Sequence, residues 1–190
     1  MSRLSLVAVG ASWGGLEALG QLVSRLRPDF AAPLAVVQHR HADTGPGAMA
    51  GYLAARSALR IVEAEDKESL LPGHVYLAPP DYHLLVDGDF LALSLEAPVA
   101  YSRPSVDVLF ESAADCFGPG LVAVVLTGAN ADGSRAVSKV RQAGGRVLVQ
   151  DPEEAERPEM PQAAIATGAV DEILSLAGLA ARLNDLDGRR

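Results

Sequence analysis

The sequence predicts a doubly wound α/β domain: a mostly parallel sheet with helices on both faces and one added antiparallel hairpin. Three observations carry this expectation. Strand-type apolar runs alternate with helix-type runs along the whole chain. Runs such as Leu121-Val122-Ala123-Val124-Val125-Leu126 are continuously apolar, as in strands covered on both faces. Asp87-Gly88-Asp89 joins two short strand-like runs, and its Asp-Gly pair is a hairpin signal. The 190 residues suit one domain over 1–190. Its structured core is expected over about 4–183, with 187–190 a frayed tail.

The elements follow in order. Leu4 to Val9 is a short apolar strand ending in glycine. Leu16, Leu19, Leu22, Val23 and Leu26 then recur at helical spacing, closed by Pro28. Pro33 to Gln38 is a second strand, Gly47 to Arg56 a helix, and Leu59 to Ala64 a third strand. Val75 to Ala78 is a fourth strand, stopped by Pro79-Pro80. Tyr82 to Val86 and Phe90 to Leu95 form the hairpin. Arg103-Pro104-Ser105 precedes a helix over Val106 to Phe117, with Ser105 as its cap. Gly120 to Thr127 is the most apolar strand, followed by a helix over Gly133 to Ala143 and a strand over Arg146 to Gln150. A loop rich in Pro and Glu runs from Asp151 to Pro161, and long loops in compact domains are often functional. A helix near Gln162 to Thr167, a strand near Val170 to Leu174 and a helix near Leu176 to Leu186 complete the chain.

Composition excludes several classes of function. The net charge of −8 leaves no basic face for tracking phosphates, so no nucleic acid is expected. It also argues against docking on anionic membranes. No apolar run reaches the roughly 18 residues of a membrane span, so no membrane insertion is expected. The single cysteine, Cys116, excludes an internal disulfide and suits a reducing, cytoplasmic setting. Within an amphipathic helix it reads as a small buried hydrophobe.

Parallel α/β sheets place ligands beyond the carboxyl ends of their strands. The first strand delivers Ser12 there, the second His39, and the long apolar strand Asp132. A hydroxyl, an imidazole and a carboxylate together make a serine nucleophile: the imidazole takes the hydroxyl proton and the carboxylate orients the imidazole. Gly10-x-Ser12-x-Gly14 between a strand and a helix matches the nucleophile elbow, whose glycines permit a tight turn. The N–H of Trp13, just after Ser12, is a natural oxyanion donor, and the loop Gly128-Ala129-Asn130 is a source for the second. Each residue also has a plainer reading. A histidine at a strand end is often structural, and Asp132-Gly133 is a common helix-capping pair. The weight rests on all three standing at strand ends of one sheet.

A second constellation competes. His39-Arg40-His41-Ala42-Asp43 has the H-x-H-x-D spacing of some binuclear metallohydrolases, and His39, His41 and Asp43 could hold zinc. Thr44 stands where that motif would carry a further histidine. The preferred reading needs neither metal nor cofactor.

Several separate motifs, in order, carry a family resemblance. They are Gly10-Ala11-Ser12-Trp13-Gly14-Gly15, Val36-Val37-Gln38-His39, Arg103-Pro104-Ser105-Val106-Asp107-Val108-Leu109-Phe110 and Val124-Val125-Leu126-Thr127-Gly128 with Asp132-Gly133. Leu71-Pro72-Gly73-His74-Val75-Tyr76-Leu77-Ala78-Pro79 and Met160-Pro161-Gln162-Ala163-Ala164-Ile165 extend them. From about Leu6 to Leu183 the chain resembles the catalytic domain of the CheB chemotaxis protein-glutamate methylesterases. The resemblance implies a triad of Ser12, His39 and Asp132, with backbone oxyanion donors at Trp13 and Ala129 and substrate contact at Met160. It implies hydrolysis of glutamate γ-methyl esters, and deamidation of particular glutamines, on chemoreceptor cytoplasmic helices. The partners implied are those methylated receptor helices and the chemotaxis methyltransferase or kinase pathway.

Five positions depart from the family pattern. Trp13 replaces the usual threonine, Ala129-Asn130 replaces Met-Gly, and Pro158-Glu159 stands where tyrosine and glycine are common. At Asn130 the change calls for a backbone that Asn tolerates, the left-handed region included. These changes motivate a second expectation, a catalytically altered regulatory or receptor-binding relative. The chain starts at the first strand of the catalytic domain, so a stand-alone form without the family's phospho-receiver domain, or an excised domain, is expected.

Overall fold

The computed structural model describes residues 3–40 and 47–188. Among them, β1 (Leu6–Ala11), β2 (Leu34–Gln38), β3 (Arg60–Glu63), β4 (His74–Leu77), β7 (Leu121–Val125), β8 (Arg146–Gln150) and β9 (Glu172–Leu174) form one seven-stranded sheet. Its order is β3-β4-β2-β1-β7-β8-β9, and every neighbouring pair is parallel. β5 (His83–Asp87) and β6 (Phe90–Ser94) form the expected antiparallel hairpin, separate from that sheet.

The helices cover both faces. α1 (Gly15–Val23), α2 (Ala48–Ala54) and α6 (Leu176–Asp187) share one apolar core. α3 (Val106–Phe117), α4 (Ser134–Gln142), α5 (Glu159–Ala166) and the hairpin share the other. β1 shows why its sequence is continuously apolar. Val7, Val9 and Ala11 enter the first core, while Leu6 and Ala8 enter the second. Successive side chains point to opposite faces, and here both faces are dry.

Connectivity sets the position of the cleft. From β1 the chain passes through β2 to the edge strand β3, turns back to place β4 between β3 and β2, and later crosses to the other side of β1 as β7. The strand order therefore reverses between β1 and β7, the kind of point where ligands bind in such sheets.

Three details differ from the sequence reading. β1 runs two residues further than expected, to Ala11, so Ser12 is the first residue beyond it. α5 begins at Glu159 rather than Gln162. Pro161 then lies in the first helical turn, where its missing N–H costs nothing. Cys116 is exposed, not buried. It sits on the hairpin side of α3, where its Sγ accepts from the Gly88 N–H (3.3 Å).

Candidate active site

Ser12 and His39 are brought together by strand register. Ala11 pairs with Gln38 across β1 and β2, so the next residue of each strand leaves the sheet at the same level. Adjacent strands are only about 4.8 Å apart. The His39 N–H donates to the Ala11 carbonyl (3.0 Å), and the Ser12 N–H donates to the Thr127 carbonyl (2.9 Å) at the end of β7. Gln38 ties the pair together: its Nε2 donates to the carbonyls of Ser12 (2.7 Å) and His39 (3.0 Å).

The glycines around Ser12 do more than permit a tight turn. Only Gly14, at φ +75°, is left-handed; Ser12 is not. Gly10 is needed for close approach, since a Cβ there would lie 2.2 Å from Val106 Cγ1. A Cβ on Gly15 would lie 2.0 Å from Gln38 Oε1. So two of the three glycines serve packing, one against the first turn of α3 and one against the side chain that links Ser12 to His39.

Asp132 is fully buried at its side chain and accepts four hydrogen bonds. Oδ1 accepts from Ser105 Oγ (2.9 Å) and the Asp107 N–H (3.0 Å), and Oδ2 from the Val106 N–H (2.7 Å) and His39 Nε2 (2.8 Å). Asp132 is thus a helix cap, but of α3, from across the fold. Burial works against its charge. The bonds from His39, Asp107 and Val106 outweigh burial and hold the carboxyl below its ordinary range. Ser105, expected to cap α3 with its own side chain, gives its hydroxyl to Asp132 instead. The Ser105 N–H donates to Nδ1 of buried His83 (3.2 Å), whose Nε2 lies 3.2 Å from the Ala97 carbonyl.

The ring of His39 has both nitrogens engaged. A carboxylate only accepts, so Nε2 carries the proton facing Asp132. Nδ1 lies 3.1 Å from Asn130 Nδ2. Ser12, His39 and Asn130 line one open cleft of about 540 Å³ with Trp13, Arg40 and Ala129, roofed by Tyr101 to Pro104. Among the described residues, none hydrogen-bonds the Ser12 hydroxyl. The N–H groups of Trp13 and Ala129 are likewise unengaged by other backbone groups. Trp13 keeps its indole largely in solvent, where Nε1 donates to Glu156 Oε1 (2.8 Å) and the Arg157 guanidinium lies 5.5 Å above the ring.

Met160 stands elsewhere than expected. It is 1% exposed and does not line the cleft. Its Sδ backs Gly128, and its N–H donates to the Gly128 carbonyl (2.9 Å). In this position it supports the loop carrying Ala129 from behind. Asn130 is not among the left-handed residues. Its family-divergent side chain needs no special backbone and is instead turned to the site. Of the alternative zinc set, His41 and Asp43 lie outside the described residues. Among the described residues, no three His, Cys, Asp or Glu side chains gather as a metal site. Sequence reasoning missed Gln38, Ser105, His83 and the Asn130 side chain as parts of the site. Gln38 stands next to His39 at a strand end, Ser105 reads in sequence as a helix cap only, and Asn130 as a backbone change only.

A parallel sheet whose switch-point cleft holds a hydroxyl, an imidazole and a buried carboxylate defines a hydrolase of the doubly wound α/β class. The family model for CheB methylesterase matches residues 7–183. A relative from Leptospira interrogans is 40% identical over 182 residues, covering 95% of this chain and 94% of the relative. The protein-glutamate methylesterase/protein-glutamine glutaminase 4 of Myxococcus xanthus is 43% identical over 183 residues, covering 96% of this chain and 52% of that protein. The chain thus spans about half the length of some curated relatives and nearly all of another. The crystal structure of the Thermotoga maritima CheB methylesterase catalytic domain superposes with a TM-score of 0.91 at 34% identity, covering 98% of this chain and 100% of that one. The chain belongs to the CheB methylesterase family.

Proposed function

We propose that this protein hydrolyses glutamate γ-methyl esters on the cytoplasmic helices of chemoreceptors through an acyl-enzyme on Ser12. One observation carries the reading. His39, level with Ser12 at adjacent strand ends, is oriented by a 2.8 Å bond to a buried carboxylate that three further donors hold charged. Because Nε2 faces Asp132, Nδ1 is the nitrogen left to act as base.

Ser12 Oγ attacks the ester carbonyl and passes its proton to His39 Nδ1. The N–H groups of Trp13 and Ala129 receive the oxyanion. His39 returns the proton to the departing methoxide, which leaves as methanol. Water then gives its proton to Nδ1, attacks the acyl-enzyme and regenerates Ser12 and a glutamate carboxylate. A primary amide could enter the same sequence with ammonia leaving, which accounts for glutaminase in the names of the relatives. Asp132 remains ionised throughout and steadies the imidazolium.

The test measures methanol release from a receptor cytoplasmic fragment bearing glutamate methyl esters. Wild type should release methanol, and Ser12→Ala should lose activity by about four orders of magnitude. Release undiminished in Ser12→Ala would overturn the assignment.

A further inference from the structure

Asn130 holds the one nitrogen that the proposed reaction needs free. Its side chain is fixed in direction by two contacts. The Asp132 N–H donates to Oδ1 (3.1 Å), and an N–H can only donate, so the amide oxygen faces Asp132. Nδ2 must then face His39, 3.1 Å from Nδ1. An amide –NH₂ is a donor only, so it sits on the Nδ1 lone pair. Meanwhile Ser12, which would donate its hydroxyl proton to that lone pair, has no hydrogen bond from its hydroxyl to a described residue.

We propose that Asn130 is a positioning residue that caps the base nitrogen of His39 in the empty site and must swing away before Ser12 can react. The inference rests on the Ser12 reading above and deepens it. The cap has two consequences for the ring. It enforces the tautomer with Nε2–H toward Asp132, which is the productive one. It also bars a proton from Nδ1 while it stays in place, because two donors would then face each other. Substrate entering the cleft beside Asn130 supplies a carbonyl and flanking backbone that can take over the amide. Release of the cap is therefore coupled to filling the cleft. With glycine at this position no such competition exists.

Three variants separate the cap from a role in merely supporting the turn. Asn130→Ser keeps an oxygen for the Asp132 N–H but is too short to reach the ring. Asn130→Gly removes both contacts. Asn130→Asp keeps the shape and the acceptor, yet turns the donor facing Nδ1 into an acceptor that draws a proton onto it. Ser12 reactivity is read by labelling with a small alkyl fluorophosphonate. Losing a neutral hydrogen bond that competes for the base corresponds to a rate change of roughly two- to tenfold. Asn130→Ser and Asn130→Gly should label faster by that factor and Asn130→Asp more slowly than wild type. In methanol release kcat/KM should follow the same order, since the cap is released as the cleft fills. The ¹⁵N signal of His39 Nδ1 reads the contact without activity: it should move toward a free lone pair in Asn130→Ser. Equal or slower labelling in Asn130→Ser, or an unmoved Nδ1 signal, overturns the cap while leaving the Ser12 reading intact. Labelling that persists in Ser12→Ala overturns both.

Discussion

At the scale of single residues, orientation at the site is delegated away from Ser12, the proposed nucleophile. Ser12 owes its position to backbone bonds at β1 and β7 and to the Gln38 amide. His39 owes its orientation to Asp132, and Asp132 owes part of its own to Ser105. Ser105→Ala should lower kcat about tenfold, since one donor to a buried carboxylate is lost, with KM little changed. The same change should lower Tm by a few degrees in a chain of this size. A kcat equal to wild type would remove Ser105 from the orienting chain. Ser12, His39 and Asp132 were legible in the sequence because strand ends are, and the parallel sheet fixes what lies beside what. Ser105 was legible only as a local cap, and Asn130 only as a backbone question. Both actual partners lie across the fold, 27 and 91 residues away.

At the scale of elements, α3 and α4 cap each other. Asp132, just before α4, accepts the first N–H groups of α3, and Asp107 in α3 accepts the Ala136 N–H at the start of α4 (2.9 Å). The two carboxyls respond to pH with opposite signs. Asp132 is held below its ordinary value in the fold. Its contribution to stability is present above the unfolded value near 4 and is lost as pH falls through the folded one. Asp107 is pushed up, first by burial and also by the nearby Asp132 charge. Its contribution is present below the unfolded value and lost as pH rises through the folded one. Thermal melts should show Asp132→Asn clearly less stable than wild type at pH 7, and Asp107→Asn at least as stable. Both differences should shrink below about pH 4. An Asp107→Asn variant markedly destabilised at pH 7 would contradict this. Most of these helices were legible from their spacing. The start of α5 was misplaced because Pro161 reads as a stop in sequence but occupies a first turn in the fold.

At the scale of the whole molecule, the layers meet at a close approach between β1 and the first turn of α3. Gly10 allows it, and Val106 fills the space above Gly10 while its N–H holds Asp132. Gly10→Ala should cost about 1–3 kcal/mol and a matching part of the activity, because α3 must lift with the groups that bind Asp132. Val106→Ala removes the atoms that clash. The double variant should therefore be less destabilised than the sum of the two single changes, as measured by urea unfolding. Additive losses would show that this contact does not set the layer spacing. The doubly wound architecture itself was legible from the sequence, because continuous apolar strands need cover on both sides. The spacing between layers was not, since it depends on which side chain faces a glycine 96 residues away.

The sheet has one further consequence, for how the molecule can be held. All seven strands run the same way, so the cleft residues gather at one rim. Arg3, Leu4 and Asp187 lie together with Ala31, Pro33 and Pro72 at the opposite rim, where strands begin. A tether, surface or fused partner attached near either residue 3 or residue 187 would grip the same side of the molecule. The cleft would then point away from the anchor, toward whatever surface carries the substrate.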